Sequence, residues 1–278
     1  MKNLVYISDF FKEQILGGAE LNDSVLLEEV LKEFEITKIQ SHNVKVSFLK
    51  KVKNSLFIIS NFINLDIFAK KFIIDNCRYI IYEHDHKYLK SRDPSHYKNF
   101  IAPRSEIINF DFYKNAKAII CQTRFHAGIV NSNLHLDNIQ NLSGNLWSTE
   151  ILEMIKKLSN RKKNKKCFIL NSSILHKNTS DAIRYCKYKN LQYELVGNLP
   201  YSLFLEKLAE FERFVFFPKT PETLSRVVVE ARMMNVEVVT NNLVGAAKED
   251  WFRFKGEKLI DIMNKKQIEI KRIIKNLE

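Results

Sequence analysis

Glycine is scarce in this chain, at seven of 278 residues, and the G-x-G-x-x-G fingerprint of nicotinamide and flavin sites is absent. Cysteine is sparser still. Cys77, Cys121, Cys167 and Cys186 form no C-x-x-C pair. Cys121 and Cys167 fall inside apolar runs, so reduced and mostly buried thiols are expected rather than disulfides or a zinc site. No apolar run approaches the roughly 20 residues that cross a bilayer. The opening MKNLVYISDF reads straight into a strand, without the charged, apolar and cleavage regions of a leader. A cytoplasmic protein is expected, with peripheral attachment to a membrane left open.

What is present is a globular composition, 45% hydrophobic and 27% charged, in a length that suits one large domain or two of ordinary size. The formal net charge of +12 is unevenly spread. Residues 151–190 hold 11 Lys/Arg against 2 Asp/Glu, a net of +9, centred on RKKNKK at 161–166. Such a cluster attracts nucleic acid, anionic lipid or nucleotide phosphates, or is simply a solvated linker.

Short apolar runs alternate with helical stretches. LVYIS (4–8), ITKIQ (36–40), SLFIIS (55–60), RYIIYE (78–83) and AKAIICQT (116–123) read as buried strands,. Leu27, Val30, Leu31 and Phe34 follow the i, i+3, i+4, i+7 pattern of a helix,. Helices are also expected over 61–75 and 124–134. A second series, CFILNSS (167–173), YELVGN (193–198), RFVFFPK (213–219) and VEVVTNN (236–242), repeats the rhythm. Helices are expected near 178–190, 202–210 and 223–234. This is an α/β pattern with parallel sheets. The expected organisation is a first Rossmann-like domain over 1–148, a basic linker over 149–165, a compact second Rossmann-like domain over 166–255, and a C-terminal helix over 256–278. In such folds ligands bind beyond the strand C-termini, so two domains are expected to face a shared cleft.

Four loops carry the chemistry. PETLSRVVVEA (221–231) places Glu222 and Glu230 on one segment, with Leu224, Val227, Val228 and Ala231 as a buried helical face. Thr220 is the expected cap and Pro221 the first helical residue, which would set Glu222 at a phosphate-attracting helix mouth. The plainer alternative is that Glu222 complements the helix dipole and Glu230 pairs with Arg226 at i, i+4. GGAE (17–20) follows the first strand, and adjacent glycines let a backbone approach a ligand closely,. YEHDHKY (82–88) ends the fourth strand; His84 and His86 alone are too few for zinc. His84 is read as a cleft hydrogen-bond donor, and His86 as plausibly a surface loop residue. NSSILHKNTSDAI (171–183) offers Ser172, Ser173 and Lys177 beside a strand end, a combination suited to diphosphate, or to an ordinary turn capped at Thr179 or Ser180,.

Together GGAE, EHDH (83–86), SSILHK (172–177) and PETLSRVVVEA, in this order, resemble the GT-B glycosyltransferases, most closely the retaining family-4-like group with an E-x7-E motif. The resemblance spans most of the chain. It implies transfer of a sugar from a UDP- or GDP-linked donor to a hydroxyl acceptor, with retention, without a metal and without a further cofactor. It casts Gly17 and Gly18 as the glycine loop, Lys177 as the residue neutralising the leaving diphosphate, and Glu222 as the donor-sugar ligand. Glu230 becomes the ribose ligand and His84 the histidine near the reacting centre. Ser172, Ser173, Thr223 and Leu224 complete the implied donor-binding set. The group's usual Arg and Lys pair is reduced here to Lys177, with Arg226 as a candidate substitute. The implied acceptor is a saccharide or surface glycan. The basic segment 156–166 keeps open a hydroxymethylated base in DNA, and a non-catalytic nucleotide-sugar-binding module is the third reading.

Overall fold

The computed structural model describes residues 3–277 of the chain. These divide into two compact units, one of residues 3–146 with 266–277 and one of Trp147–Lys265.

The first unit is built on a six-stranded sheet. Its strands are β1 (Asn3–Ser8), β2 (Glu35–Gln40), β3 (Leu56–Ile59), β4 (Arg78–Tyr82), β5 (Ala118–Cys121) and β6 (Ile139–Asn141), in the order β2-β1-β3-β4-β5-β6. Every pairing is parallel. The continuous apolar runs follow from burial on both faces. Leu4, Tyr6, Ile58, Ile80, Tyr82 and Ile120 enter one core layer, while Val5, Ile7, Phe57, Ile59, Ile81 and Ile119 enter the opposite one, as the period-2 geometry of a strand requires. Its helices are α1 (Gly18–Val25), α2 (Val46–Val52), α3 (Ile67–Asn76), α4 (Phe110–Lys114) and α5 (Arg124–Leu134).

Helix boundaries depart from the apolar periodicity where local hydrogen bonds intervene. The stretch expected to be helical over 61–75 begins its helix only at Ile67, because the Asp66 carboxylate accepts from the N–H groups of Phe68 and Ala69,. Leu27, Val30, Leu31 and Phe34 are buried as expected, but 26–30 is a π-helical turn following α1.

The second unit carries β7 (Asn164–Leu170), β8 (Tyr193–Val196), β9 (Phe211–Phe216) and β10 (Glu237–Thr240), all parallel, in the order β10-β9-β7-β8. Phe168, Phe214 and Phe216 face the larger core, and Cys167, Ile169 and Val215 the smaller. Around the sheet lie α6 (Thr149–Ser159), α7 (Thr179–Tyr188), α8 (Tyr201–Leu208) and α9 (Arg226–Met233).

The basic linker expected over 149–165 is mostly a packed element. Ser148 caps α6 through the Ile151 N–H, and Leu152 and Ile155 are buried beside Trp147. Its cations are partly used within the unit. Lys163 donates to the carbonyls of Ala209 and Met234, which end α8 and α9, and Arg161 donates to the carbonyl of Glu206. The last helix, α10 (Gly256–Leu277), is divided between the units: Leu259, Ile260 and Met263 join the second unit's core, and Ile270 and Ile274 join the first's. No helix among the described residues is long and apolar enough to cross a membrane.

Candidate functional site

Each sheet has a point where the chain, having built outward to one side, returns to build on the other. There the loops after adjacent strands leave in opposite directions and open a crevice. In the second unit this point lies between β7 and β9, and the loops that flank it are 171–178 and 217–225. They are tied together by the Lys219 N–H donating to the His176 carbonyl and by Asn178 Nδ2 donating to the Phe217 carbonyl. Here Lys177 Nζ meets Glu222 Oε1 at 2.8 Å, with the two side chains 26% and 13% exposed. Two residues 45 positions apart in sequence thus place an ammonium and a carboxylate together, still accessible, where the topology favours a ligand. Ser172 and Ser173 stand in the same loop. The Ser172 Oγ accepts from the Ile174 N–H, and the Ser172 N–H donates to Thr179 Oγ1.

The helix expected to start at Pro221 starts at Arg226 instead. Ser225 adopts left-handed backbone angles (φ 71°) just before it. Glu222 forms an isolated bridge to Val244 in the segment after β10: the Glu222 N–H donates to the Leu243 carbonyl, and the Gly245 and Ala246 N–H groups return to the carbonyls of Glu222 and Leu224. Thr220 is therefore not a cap, and Glu222 does not sit in the first turn of α9. The pairing that fixes this comes from 243–246, which no local pattern announces. Leu224 is buried, anchoring the segment, and Thr223 is half-buried beside it.

Glu230 lies elsewhere. It is 2% exposed, and its Oε1 accepts from Trp147 Nε1 at 2.9 Å and from the Tyr201 hydroxyl at 2.6 Å. Arg226 Nε approaches the same oxygen to 3.5 Å while its guanidinium lies 4.5 Å from the centroid of the Trp147 ring. Burial, then the Glu230 charge, holds the Tyr201 phenol well above its usual range. The i, i+4 partnership with Arg226 read from the sequence is present, within a buried cage that also uses Trp147 and Tyr201. The sequence pointed to neither aromatic.

In the first unit the corresponding crevice lies between β1 and β3. There the buried Asp9 carboxylate accepts from the N–H groups of Ile63 and Asn64 and from Ser41. Gly17 is the N-cap of α1, with Gly18 its first residue. A Cβ at Gly17 would meet the Glu20 carboxylate. Burial raises that carboxyl above its ordinary value, only partly offset by a backbone hydrogen bond.

The EHDH loop is more deeply built than its sequence implies. His84 forms the centre of a chain in which Nε2 meets Asp23 Oδ1 at 2.7 Å and Nδ1 meets the Gln122 side-chain amide at 2.7 Å; its side chain is 4% exposed. An Nε2–H donor to the carboxylate with Nδ1 accepting from Gln122 satisfies both contacts. Asp23 also accepts from Ser60. Glu83 is fully buried and accepts from Lys87, Tyr113 and the Asp85 N–H. Burial alone would push the Lys87 ammonium down, but Asp85 and Glu83 outweigh it and hold it above its usual value.

His86, expected to be plausible as a surface residue, is 2% exposed. Its Nδ1 meets the Tyr88 hydroxyl at 3.0 Å, and its ring stands edge-on to His126. Burial pushes its pKa down to about 4. β4 ends at Tyr82 and the loop turns inward, burying Glu83, His86 and Lys87 together with the side chain of His84. No group of three or more His, Cys, Asp or Glu among the described residues is arranged to hold a metal ion.

These two Rossmann-like units, with their parallel sheets and terminal helix, define the GT-B fold. Three solved structures share it across nearly the whole chain. Sucrose-phosphate synthase from Thermosynechococcus elongatus superposes with a TM-score of 0.64 at 9% identity, covering 100% of this chain and 99% of that one. The catalytic domain of starch synthase IV from Arabidopsis thaliana, bound to ADP and acarbose, gives 0.60 at 8% identity over 97% and 92%. HepE from Anabaena in complex with UDP-glucose gives 0.55 at 12% identity over 100% and 92%. No protein-family model and no curated protein matches the sequence.

Proposed function

We propose that the protein is a glycosyltransferase that moves a sugar from a nucleoside diphosphate sugar to a hydroxyl acceptor, with the donor diphosphate held at the switch point of the second unit. The Lys177–Glu222 pair carries this reading. As the glycosidic C–O bond to the donor phosphate breaks, negative charge collects on the departing diphosphate, and an ammonium fixed beforehand at that position stabilises it without reorganisation. Glu222 accepts hydrogen bonds from sugar hydroxyls. The acceptor oxygen forms the new bond to the anomeric carbon, and its proton leaves with the diphosphate. Lys177 and Glu222 pair with each other at 2.8 Å, and donor binding replaces that ion pair with one contact to each side chain.

The fold, shared with proteins solved with UDP-glucose and with ADP, supports a nucleoside diphosphate sugar, and we take UDP first and GDP second. Retention, independence from metal and a saccharide acceptor follow from the sequence resemblance and belong to the same proposal. Gly17, Gly18 and His84 keep donor- and acceptor-side roles in it, with His84 oriented by Asp23 and Gln122.

Thermal-shift screening over UDP- and GDP-sugars is the first test, since a ligand at about 100 times its dissociation constant adds roughly 2.7 kcal/mol to the native state. Product analysis follows. Lys177→Ala and Glu222→Ala should each lower turnover by about a hundredfold or more, and chelation should leave wild-type turnover intact. Absence of stabilisation by any nucleotide sugar, or unchanged turnover in both variants, would overturn the proposal.

A further inference from the structure

Within the first unit, away from Lys177 and Glu222 in the sequence and in a different unit, the lining of a cavity of about 160 Å³ includes the cations Lys70, Lys87, Lys90 and Arg92 with the apolar Ile63 and Ile108. Its cations are not equivalent. Lys87 is consumed by Glu83 and Asp85, Arg92 reaches Asp85 at 3.1 Å, and Lys90 stands 3.6 Å from Glu106. Lys70 makes no ion pair among the described residues. Its Nζ donates to Asn109 Oδ1 at 3.1 Å and lies 5.4 Å from the centroid of the Phe62 ring. Burial lowers its pKa, with Asp9 and Asp66 only partly offsetting that. A half-buried ammonium whose close partners are a neutral amide and a ring face is an incomplete site, and an anion in the cavity completes it.

The surroundings are apolar where solvent meets the cavity. Ile63 is 46% exposed and Ile108 36%. Along α3, Ile67 precedes Lys70 by three residues and so shares its side of the helix; Ile67 is 66% exposed and Phe68 beside it 71%. Large apolar side chains exposed together next to a basic cavity are unusual on a water-facing surface. They match a ligand whose anionic group continues into hydrocarbon. A soluble anion such as a free phosphate would use the cations and leave Ile67 and Phe68 unexplained.

We infer that this cavity receives the phosphate of an anionic lipid headgroup, and that Ile63, Ile67 and Phe68 enter the adjoining acyl boundary, so that the first unit docks on an anionic membrane surface. Lys70 is the principal phosphate ligand, and Lys90 and Arg92 supply the surrounding field. Apolar insertion combined with basic side chains at the interface is the physical basis of reversible membrane attachment. The inference concerns lipid rather than nucleotide sugar, and it stands or falls separately from the glycosyltransferase reading.

The test is co-sedimentation of the full chain with phosphatidylcholine vesicles, with and without phosphatidylglycerol. Binding is expected only to the anionic vesicles, weakened by added salt. Lys70→Ala should reduce partitioning about fivefold, the effect of one cation near such a surface, and Phe68→Ser about tenfold. Unchanged melting temperatures and circular dichroism establish that these variants fold. Inorganic phosphate at millimolar concentration should not release the protein. Failure to bind anionic vesicles overturns the inference. So does binding that survives Lys70→Ala and Phe68→Ser but disappears when the cations at 161–166 are neutralised, because the basic cluster of the second unit would then be the attachment. Full release by inorganic phosphate would identify a soluble-anion pocket and overturn the lipid assignment.

Discussion

Glu230 separates two roles that the E-x7-E motif runs together, and its replacement gives a quantitative test. The carboxylate is the acceptor for the Trp147 indole N–H at 2.9 Å and the Tyr201 hydroxyl at 2.6 Å, and it faces Arg226 at 3.5 Å, all at 2% exposure. Glu230→Ala takes this acceptor from the buried Trp147 and part-buried Tyr201 donors, at about 1–3 kcal/mol each, and deprives a nearly buried guanidinium of its counter-charge. Breaking such a pair from one side costs about 3–5 kcal/mol. These effects overlap, so about 4 kcal/mol is the expected loss for the second unit. Glu230→Gln keeps an acceptor oxygen and should lose roughly half as much.

Both tryptophans of the chain, Trp147 and Trp251, lie in the second unit, so indole fluorescence during urea unfolding follows that unit alone. With a urea slope of about 2 kcal/mol per molar, the Ala variant should lower the midpoint by about 2 M. A midpoint within error of wild type for Glu230→Ala would refute the cage as a stabilising element. If the same variant also lost nucleotide binding, the oxygen would be free for ribose, as the resemblance implies. Loss of stability together with retained nucleotide stabilisation in Glu230→Gln would assign the residue to the cage.

Acid stability supplies a second prediction. Burial pushes the His86 pKa down to about 4 in the folded protein from its ordinary value of 6.5 in the unfolded chain. A depressed histidine pKa means the unfolded chain binds the extra proton across that window, so stability falls as pH drops from 6.5 toward 4, by about 3 kcal/mol in total. His126 is depressed as well, through burial and then His86, and adds to the slope. Chemical denaturation followed by circular dichroism at several pH values should show His86→Gln flattening this dependence; an unchanged slope would contradict it. Lys87→Met should destabilise the first unit by about 3–5 kcal/mol by stranding Glu83 and Asp85, and the double variant with Glu83→Gln should recover part of the loss in a thermal melt. Equal melting temperatures for the single and double variants would show that no stranded charge was involved.

The sheets were legible because parallel strands buried on both faces leave continuous apolar runs; β1, β3, β4 and β5 appear at LVYIS, SLFIIS, RYIIYE and AKAIICQT. The placement of Lys177 and Glu222 in loops after strands was legible for a similar reason, but their meeting across 45 positions was not. The start of α9 was not, because Pro221 and Thr220 form a plausible helix opening and only pairing with 243–246 overrides it. Nor was the inward turn of residues 83–88. Its determinants are Asp23, Tyr113, Gln122 and His126, which are distant in sequence and are brought to the loop by the fold. Trp147 carried no pattern of its own, and its partner Glu230 lies 83 residues away.

The division of α10 between the units bears on biosynthesis. Ile270 and Ile274 are fully buried in the same core as Leu4 and Tyr6, yet a ribosome releases them only after the whole of Trp147–Lys265. The core layer that holds Leu4 and Tyr6 is therefore completed by residues synthesised after the entire second unit. Completion of the first unit's core after synthesis of the second unit, rather than strict folding in order of emergence, is the expected course.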